Sequence, residues 1–201
     1  MPTNKELRAF AREQLKGRWG NPVLGTFIYI FLFILVSSIP IVGGIISFIL
    51  TGPLFLGLMT FFLNFKRGKN PKIEEIFYGF KYFGSALLLN FLIVIFILLW
   101  ALLLIIPGII ACLKYSMAYF VLSDNPNIGA KEAIEKSKSL MEGKKAQLFW
   151  LWLSFFGWGL CCILTLGIGF LWLIPYINVS IVNFYENLIK VPFDKSADGT
   201  I

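Results

Sequence analysis

The chain has 201 residues, of which 58% are hydrophobic and only 14% charged, and its mean hydropathy is +0.79. Soluble domains carry about 25% charged residues, so this composition excludes an ordinary soluble protein and indicates an integral membrane protein. The formal net charge is +7 and histidine is absent, which indicates a basic surface and excludes catalytic triads and metal sites built on imidazole.

The chain begins with a predicted amphipathic helix. Thr3 and Glu6 have the spacing of a capping box, and apolar residues recur on one face as far as Lys16. A signal peptide would instead place a short apolar stretch and a small-residue cleavage site here. We therefore expect the mature chain to begin near Met1.

Six apolar segments follow this helix. They are apolar on every face, a pattern that favours helices over the alternating strands of a membrane barrel. A transmembrane helix needs about 20 such residues. The segments are predicted at residues 23–39, 45–65, 87–106, 108–123, 148–166 and 170–188. The predicted fold is therefore an all-α, polytopic membrane protein with six transmembrane helices.

The six segments pair into three predicted hairpins, each with a corner rich in proline and glycine. These two residues favour turns and helix ends. A cytoplasmic amphipathic helix precedes each hairpin, the second capped by Asn70 and the third beginning after Asn125 and Pro126. The predicted corner residues are Pro40, Gly43, Pro53, Pro107, Gly108, Gly167, Gly169 and Pro175, and Pro53 is also expected to kink its helix.

This arrangement predicts one structural unit that is repeated three times. Pro53, Pro107 and Pro175 are followed 18, 19 and 17 residues later by further prolines, and Asn-Pro-x-Ile occurs at residues 70–73 and 125–128. Internal repeats are common in membrane proteins. We expect one integral membrane domain at residues 1–190, with repeats at about 3–65, 71–123 and 127–189, followed by a polar tail at 191–201.

The positive charges lie on one side of the predicted topology. Five Lys and Arg precede the first segment, five lie between the second and third, six lie from Lys114 to Lys145, and two follow the sixth segment, which accounts for all 18. By the positive-inside rule, the amphipathic helices and both termini are cytoplasmic. The basic face favours anionic lipids as partners, and no nucleic-acid-binding motif accompanies the charge.

Lys114 and Glu186 are charged residues within apolar segments. At the helical rise Lys114 lies roughly 10 Å below the outer end of its helix, where an unpaired lysine costs about 3 kcal/mol. One hypothesis pairs it with Glu186, either to fix helix packing or to line a polar cavity. The alternative is that Lys114 snorkels and Glu186 is interfacial. The candidate intramembrane polar site consists of Lys114, Tyr115, Tyr119, Asn178, Asn183 and Glu186.

Other chemistry has little support in the sequence. The three cysteines lack C-x-x-C spacing and are interpreted as apolar packing residues. There is no glycine-rich phosphate loop, so we expect no enzymatic activity, no cofactor and no metal. Asn64 and Asn90 are interpreted as residues that form hydrogen bonds across helices.

Several motifs together resemble a known family of bacterial membrane proteins. They are Ile106-Pro107-Gly108-Ile109-Ile110-Ala111, Leu113-Lys114-Tyr115-Ser116-Met117, Asp124-Asn125-Pro126 and Ser137-Lys138-Ser139-Leu140-Met141. Over about residues 3–190 the chain resembles the DUF975 family. The resemblance implies a six-helix, multi-pass protein of the bacterial cytoplasmic membrane, and it supplies no catalytic residues.

Two functions from different classes agree with these patterns. The first is a non-enzymatic scaffold or accessory subunit whose basic cytoplasmic helices bind anionic lipids, a membrane-protein partner or a second copy of the chain. The alternative is a transporter, channel or lipid-moving protein with a polar path around Lys114 and Glu186. Short outer turns and scarce buried charge favour the first function, whereas broken helices and a charge within the membrane favour the second.

Overall fold

A computed structural model of the protein describes residues 1–39 and 43–190, except for the side chain of Leu103. All regular structure in these residues is helical, which confirms the predicted all-α class. The predicted corner at Pro40 and the predicted tail at 191–201 lie outside the described residues. The helices are α1 (Asn4–Leu15), α2 (Gly20–Ser37), α3 (Gly43–Lys66), a 3-10 helix (Ile73–Tyr82), α4 (Phe83–Leu103), α5 (Ile105–Tyr115), α6 (Ala118–Asp124), α7 (Ala130–Leu140), α8 (Lys145–Leu164) and α9 (Phe170–Lys190).

Five helical segments are long and apolar enough to span a membrane, as expected of a membrane protein. They are Gly20–Ser37, Gly43–Lys66, Ile73–Leu102, Ile105–Asp124 and Lys145–Leu164. The sixth predicted span, α9, is not among them because Asn178, Asn183 and Glu186 lower its hydropathy. Of its 21 residues 11 are buried, so α9 is enclosed mainly by protein, where membrane proteins keep their polar side chains.

Three helices form the centre of the bundle, and we call α3, α6 and α9 the inner helices. Helix α3 packs against both α6 and α9, and the rings of Phe120 on α6 and Tyr185 on α9 stack with centroids 5.2 Å apart. Phe61 and Phe62 of α3 and Phe184 of α9 are fully buried. The outer helices α4 and α8 instead expose large apolar side chains such as Leu98 and Trp158, as expected of lipid-facing surfaces.

The three segments predicted to be amphipathic pack on the bundle and bury part of their apolar residues, while Phe10, Phe77 and Phe80 stay exposed. The 3-10 helix lies along α3, α7 lies on α4, α5 and α6, and α1 lies on α9 and α8. In α1, Leu7, Ala11 and Leu15 are fully buried. Its predicted capping box is confirmed, because the Thr3 backbone N–H donates to the Glu6 carboxylate at 2.7 Å and the Thr3 hydroxyl accepts from the Glu6 N–H. The hydrogen bond from the Thr3 backbone lowers the pKa of Glu6.

The second amphipathic segment differs from the prediction. It is a 3-10 helix that continues directly into α4, and its N-cap is Lys72 rather than Asn70. The Asn70 side chain instead accepts a hydrogen bond from Arg18. The reason is close packing, because a Cβ at Gly57 would lie 1.8 Å from the Ile76 carbonyl oxygen. The segment therefore follows the surface of α3, which local capping preferences did not predict.

The corners also differ from the prediction. The break between α4 and α5 falls at Leu104, so Pro107 lies in the first turn of α5. Backbone N–H groups in the first turn have no partner within the helix, so a proline there costs no hydrogen bond. Pro53 and Pro175 lie inside α3 and α9, as the predicted segments 45–65 and 170–188 required, but they are not corners between helices. Such prolines are tolerated within membrane bundles because neighbouring groups satisfy the freed carbonyls. The fourth predicted segment is divided, since α5 ends at Tyr115 and α6 begins at Ala118.

Three of the predicted corner glycines lie at or near the ends of helices, as predicted. Gly43 begins α3 and is buried against the end of α2, where a Cβ would lie 2.8 Å from the Val36 carbonyl oxygen. Gly108 packs against Ala101 across the second corner. In the third corner, Gly167 has a φ of +86°, a conformation that glycine adopts without strain.

Candidate functional site

An ionic cluster joins the C-terminal ends of the three inner helices. Arg67 follows α3, and its guanidinium donates to both carboxylate oxygens of Asp124, the last residue of α6, at 2.6 and 3.0 Å. The Nε atom of Arg67 donates to Glu186 on α9 at 2.8 Å. The Tyr185 hydroxyl also donates to Asp124, at 2.9 Å. We call Arg67, Asp124, Tyr185 and Glu186 the Arg67 cluster.

The Arg67 cluster is partly shielded from solvent. The side chain of Arg67 is 32% exposed, while those of Asp124 and Glu186 are 16% and 12% exposed. Hydrogen bonding to the Asp124 carboxylate raises the pKa of Arg67, so the guanidinium stays charged. Bidentate arginine–carboxylate contacts fix geometry as well as charge. The cluster therefore holds the ends of α3, α6 and α9 in one arrangement.

The hypothesised pair between Lys114 and Glu186 is not present. Glu186 is paired with Arg67, and Lys114 makes no salt bridge within the described residues. The backbone carbonyl of Lys114 accepts a hydrogen bond from the Ser137 hydroxyl at 2.9 Å, so this part of α5 is covered by the hydrophilic helix α7. Arg67 was not among the predicted site residues because the predicted charged residues of the site were those inside apolar segments. The sequence does contain an indication of this ion pair, because Arg67 and Asp124 lie at the ends of two apolar segments.

A cavity of about 370 Å³ lies among the helices, and we call it the central cavity. Three residues of the predicted polar site, Tyr115, Tyr119 and Asn178, lie together on its wall. Lys114, Asn183 and Glu186 do not line it. The full lining consists of Tyr29, Ile30, Phe55, Leu58, Met59, Ile93, Ile97, Cys112, Tyr115, Ser116, Met117, Tyr119, Phe120, Trp152, Ile174, Ile177, Asn178 and Ile181.

Two of the predicted polar residues have structural roles. The Tyr119 hydroxyl donates to the side-chain oxygen of Asn90 at 3.0 Å, and the Asn90 amide donates to the Phe48 carbonyl, so the predicted cross-helix role of Asn90 is confirmed. Asn183 is buried on α9 and accepts a hydrogen bond from Gln14 of α1 at 3.2 Å. Asn183 therefore anchors α1 to the inner helix α9.

A second cavity, of about 520 Å³, lies between α1 and the α8–α9 hairpin, and we call it the α1 groove. Three cations of α1 line it, and none of them forms a salt bridge within the described residues. The other lining residues are aromatic, apolar or small. The lining consists of Lys5, Arg8, Arg12, Trp19, Trp158, Cys162, Gly169, Trp172, Leu173 and Tyr176. Uncompensated cations beside an aromatic and apolar surface suit an anionic amphiphile.

The described residues offer little to a metal. They contain no group of three or more His, Cys, Asp or Glu side chains that could hold a metal ion. Cys112 and Cys161 are exposed and Cys162 is buried, and all three are free thiols. The α1 groove offers three cations, and the central cavity offers an apolar wall.

Comparison with known proteins gives one match. A family described as "Protein of unknown function (DUF975)" matches residues 1–112 and 101–191, two overlapping ranges that together cover nearly the whole chain. No curated protein and no solved structure matches the chain.

Proposed function

The chain belongs to the DUF975 family, and from that premise we propose that it is a non-enzymatic membrane scaffold or accessory subunit that binds anionic lipids through the α1 groove. The observation that carries the proposal is the convergence of Lys5, Arg8 and Arg12 beside two exposed tryptophans, Trp158 and Trp172. The groove extends from these cations to Gly169 at the third corner, so a lipid bound there lies along the α8–α9 hairpin with its anionic headgroup against the cations. A partner protein or a second copy would bind at the same basic face.

The proposal includes six transmembrane helices, with α9 as the sixth, and cytoplasmic termini in the bacterial cytoplasmic membrane. A recurring contact supports the threefold repeat behind this topology. The 3-10 helix packs on the inner helix α3, α7 packs on α6, and α1 packs on α9. Each amphipathic segment thus packs on an inner helix, and α1, at the start of the chain, packs on the last inner helix, α9. The one-sided distribution of Lys and Arg supports the orientation.

Cysteine labelling tests whether α9 crosses the membrane. With Cys112, Cys161 and Cys162 replaced by alanine, Ile168→Cys at the third corner is expected to react with an impermeant maleimide in intact cells. Lys190→Cys, at the other end of α9, is expected to react only after permeabilisation. Labelling of both positions from the same side would contradict the proposed sixth span.

The α1 groove should bind lipid through its charges. Each basic residue near an anionic membrane surface contributes about 1 kcal/mol. Replacing Lys5, Arg8 and Arg12 by glutamine is therefore expected to reduce retention of phosphatidylglycerol by roughly tenfold or more. The measurement is native mass spectrometry of the purified protein, titrated with phosphatidylglycerol in mild detergent.

The matched control removes three other exposed cations. Lys69, Lys72 and Lys131 lie outside the α1 groove, and their joint replacement by glutamine lowers the net charge by the same amount. Retention of phosphatidylglycerol should be nearly unchanged in this control. Equal losses in the two triple variants would mean that lipid follows the total charge, and the groove would then have no specific role.

The transport alternative has less support from the geometry. Its polar path needs Lys114 and Glu186 along one route, but Glu186 is held by Arg67 and Lys114 lies beside α7. Water access separates the two functions. With the native cysteines removed, Leu113→Cys labelled by a water-soluble maleimide would support a polar path beside Lys114, whereas protection would support packing.

A further inference from the structure

The central cavity has an almost entirely apolar wall. Its lining comes from α2, α3, α4, α5, α6, α8 and α9, and no charged residue is present among the described lining residues. Its volume of about 370 Å³ lies within the range of known small-ligand pockets, roughly 300–1,000 Å³. Apolar cavities of this kind stay dry and take up apolar molecules. A phosphate or carboxylate would lose its hydration here without gaining a counter-charge.

Several polar side chains on this wall have no hydrogen-bond partner in the described part of the chain. The hydroxyls of Tyr119 and Ser116 are occupied, the first by Asn90 and the second by the Leu113 carbonyl. The hydroxyls of Tyr29 and Tyr115 and the amide of Asn178 make no such contact, although all three residues line the cavity. Tyr29 and Asn178 are half-buried, and their free donors and acceptors are suited to an uncharged polar group of a ligand.

Two residues of the cavity wall connect it to other parts of the molecule. The ring of Phe120 stacks on the ring of Tyr185, a member of the Arg67 cluster. Trp152 of the outer helix α8 also lines the cavity and is 52% exposed. A molecule dissolved in the membrane could therefore reach the cavity beside Trp152.

We propose that the central cavity binds one uncharged amphiphile, a hydrocarbon chain that ends in a hydroxyl or carbonyl group. The chain lies against the isoleucines and phenylalanines of the wall. The terminal oxygen exchanges hydrogen bonds with Tyr29 and Asn178. Neutral acylglycerols and isoprenoid alcohols or quinones share this chemistry. The site is separate from the α1 groove and does not depend on the lipid binding proposed there.

Photolabelling in vesicles tests this site directly. The full-length protein is reconstituted in phosphatidylcholine and labelled with hexadecanol that carries a diazirine in its chain. Labelling is expected at wall residues such as Met59 and Ile177, and excess hexadecanol should abolish it. Hexadecyl phosphate should compete at least about tenfold more weakly because its charge cannot be paired in the cavity. Labelling that does not saturate, or equal competition by the phosphate, would overturn the proposal.

Two variants, each with its own control, make the test specific to the cavity. Tyr29→Phe removes only a hydroxyl and is expected to weaken hexadecanol binding about 3- to 10-fold, while labelling by a diazirine-bearing hexadecane is unchanged. Ile177→Trp fills the cavity and should abolish labelling, whereas Ile163→Trp, on an exposed part of α8, should not. If Tyr29→Phe leaves hexadecanol binding unchanged, the proposed polar contact is wrong even where the protein folds normally.

The chemical class of the natural ligand is identified by extracting the bound lipids with an organic solvent. Protein purified from native membranes is extracted and its lipids are identified by mass spectrometry, with Ile177→Trp as the reference. An acylglycerol present only in the unmodified protein would identify one source, and an isoprenoid alcohol or quinone would identify the other. Anionic phospholipid as the sole component lost in Ile177→Trp would overturn the assignment of a neutral ligand.

Discussion

Gly57→Ala is expected to prevent folding or to leave only a small, unstable fraction of the protein. A Cβ at this position would lie 1.8 Å from the carbonyl oxygen of Ile76 and 2.5 Å from its carbonyl carbon. Both are backbone atoms of the 3-10 helix, so no side-chain rotation relieves the clash. Overpacking of this kind costs about 3 kcal/mol or more. Thermal unfolding and size-exclusion profiles in detergent measure the effect.

A matched glycine provides the control for Gly57→Ala. Gly157 lies in the outer helix α8, and a Cβ there would meet no atom within 4 Å. Gly157→Ala is expected to leave the melting temperature unchanged or to raise it slightly, because alanine favours a helix over glycine. Gly79→Ala should resemble Gly57→Ala, since its Cβ would lie 2.0 Å from the Pro53 carbonyl oxygen. Normal stability of Gly57→Ala would show that α3 and the 3-10 helix do not pack this closely.

Arg67→Ala is expected to give the second-largest loss of stability. The substitution leaves Asp124 and Glu186 close together without the cation that joins them. Removing one partner of a fully buried ion pair costs about 3–5 kcal/mol, and the partial exposure of Arg67 reduces the expected loss to about 2 kcal/mol. The expected result is a lower melting temperature in detergent, with less protein recovered from membranes.

Controls separate the specific role of Arg67 from its charge. Lys69→Ala removes an exposed cation two residues away and should change the melting temperature little. Replacing Asp124 and Glu186 by asparagine and glutamine in the Arg67→Ala background should recover part of the loss, because the repelling charges are then gone. A loss in Lys69→Ala as large as in Arg67→Ala would contradict the role given to the Arg67 cluster.

The local features of α1 could be predicted because they depend on neighbours along the chain. Thr3 and Glu6 are three residues apart, and their capping box follows from that spacing alone. The cross-helix role of Asn90 could be predicted in type, since a polar group within a membrane bundle needs a partner. Its actual partners, Tyr119 and Phe48, are 29 and 42 residues away and could not be named from the sequence.

The candidate site could be predicted only in part. Tyr115, Tyr119 and Asn178 do share a cavity, because α5, α6 and α9 all contribute to its wall. The pairing of Glu186 depends on how far α3 and α9 extend at their C-terminal ends. Arg67 reaches Glu186 only because both helices end at the same level of the bundle, which no local pattern encodes.

The helical class, the membrane environment and the family could be predicted because composition, hydropathy and motif order are properties of the chain. The places where charge is concentrated could be predicted for the same reason. The charges that meet, the positions of the helix breaks and the polar groups that face a cavity could not be predicted in this way. Those outcomes depend on contacts between residues far apart in sequence, such as Gly57 with Ile76 and Arg67 with Glu186. Steric fit and ion pairing act between surfaces that exist only after the helices have packed.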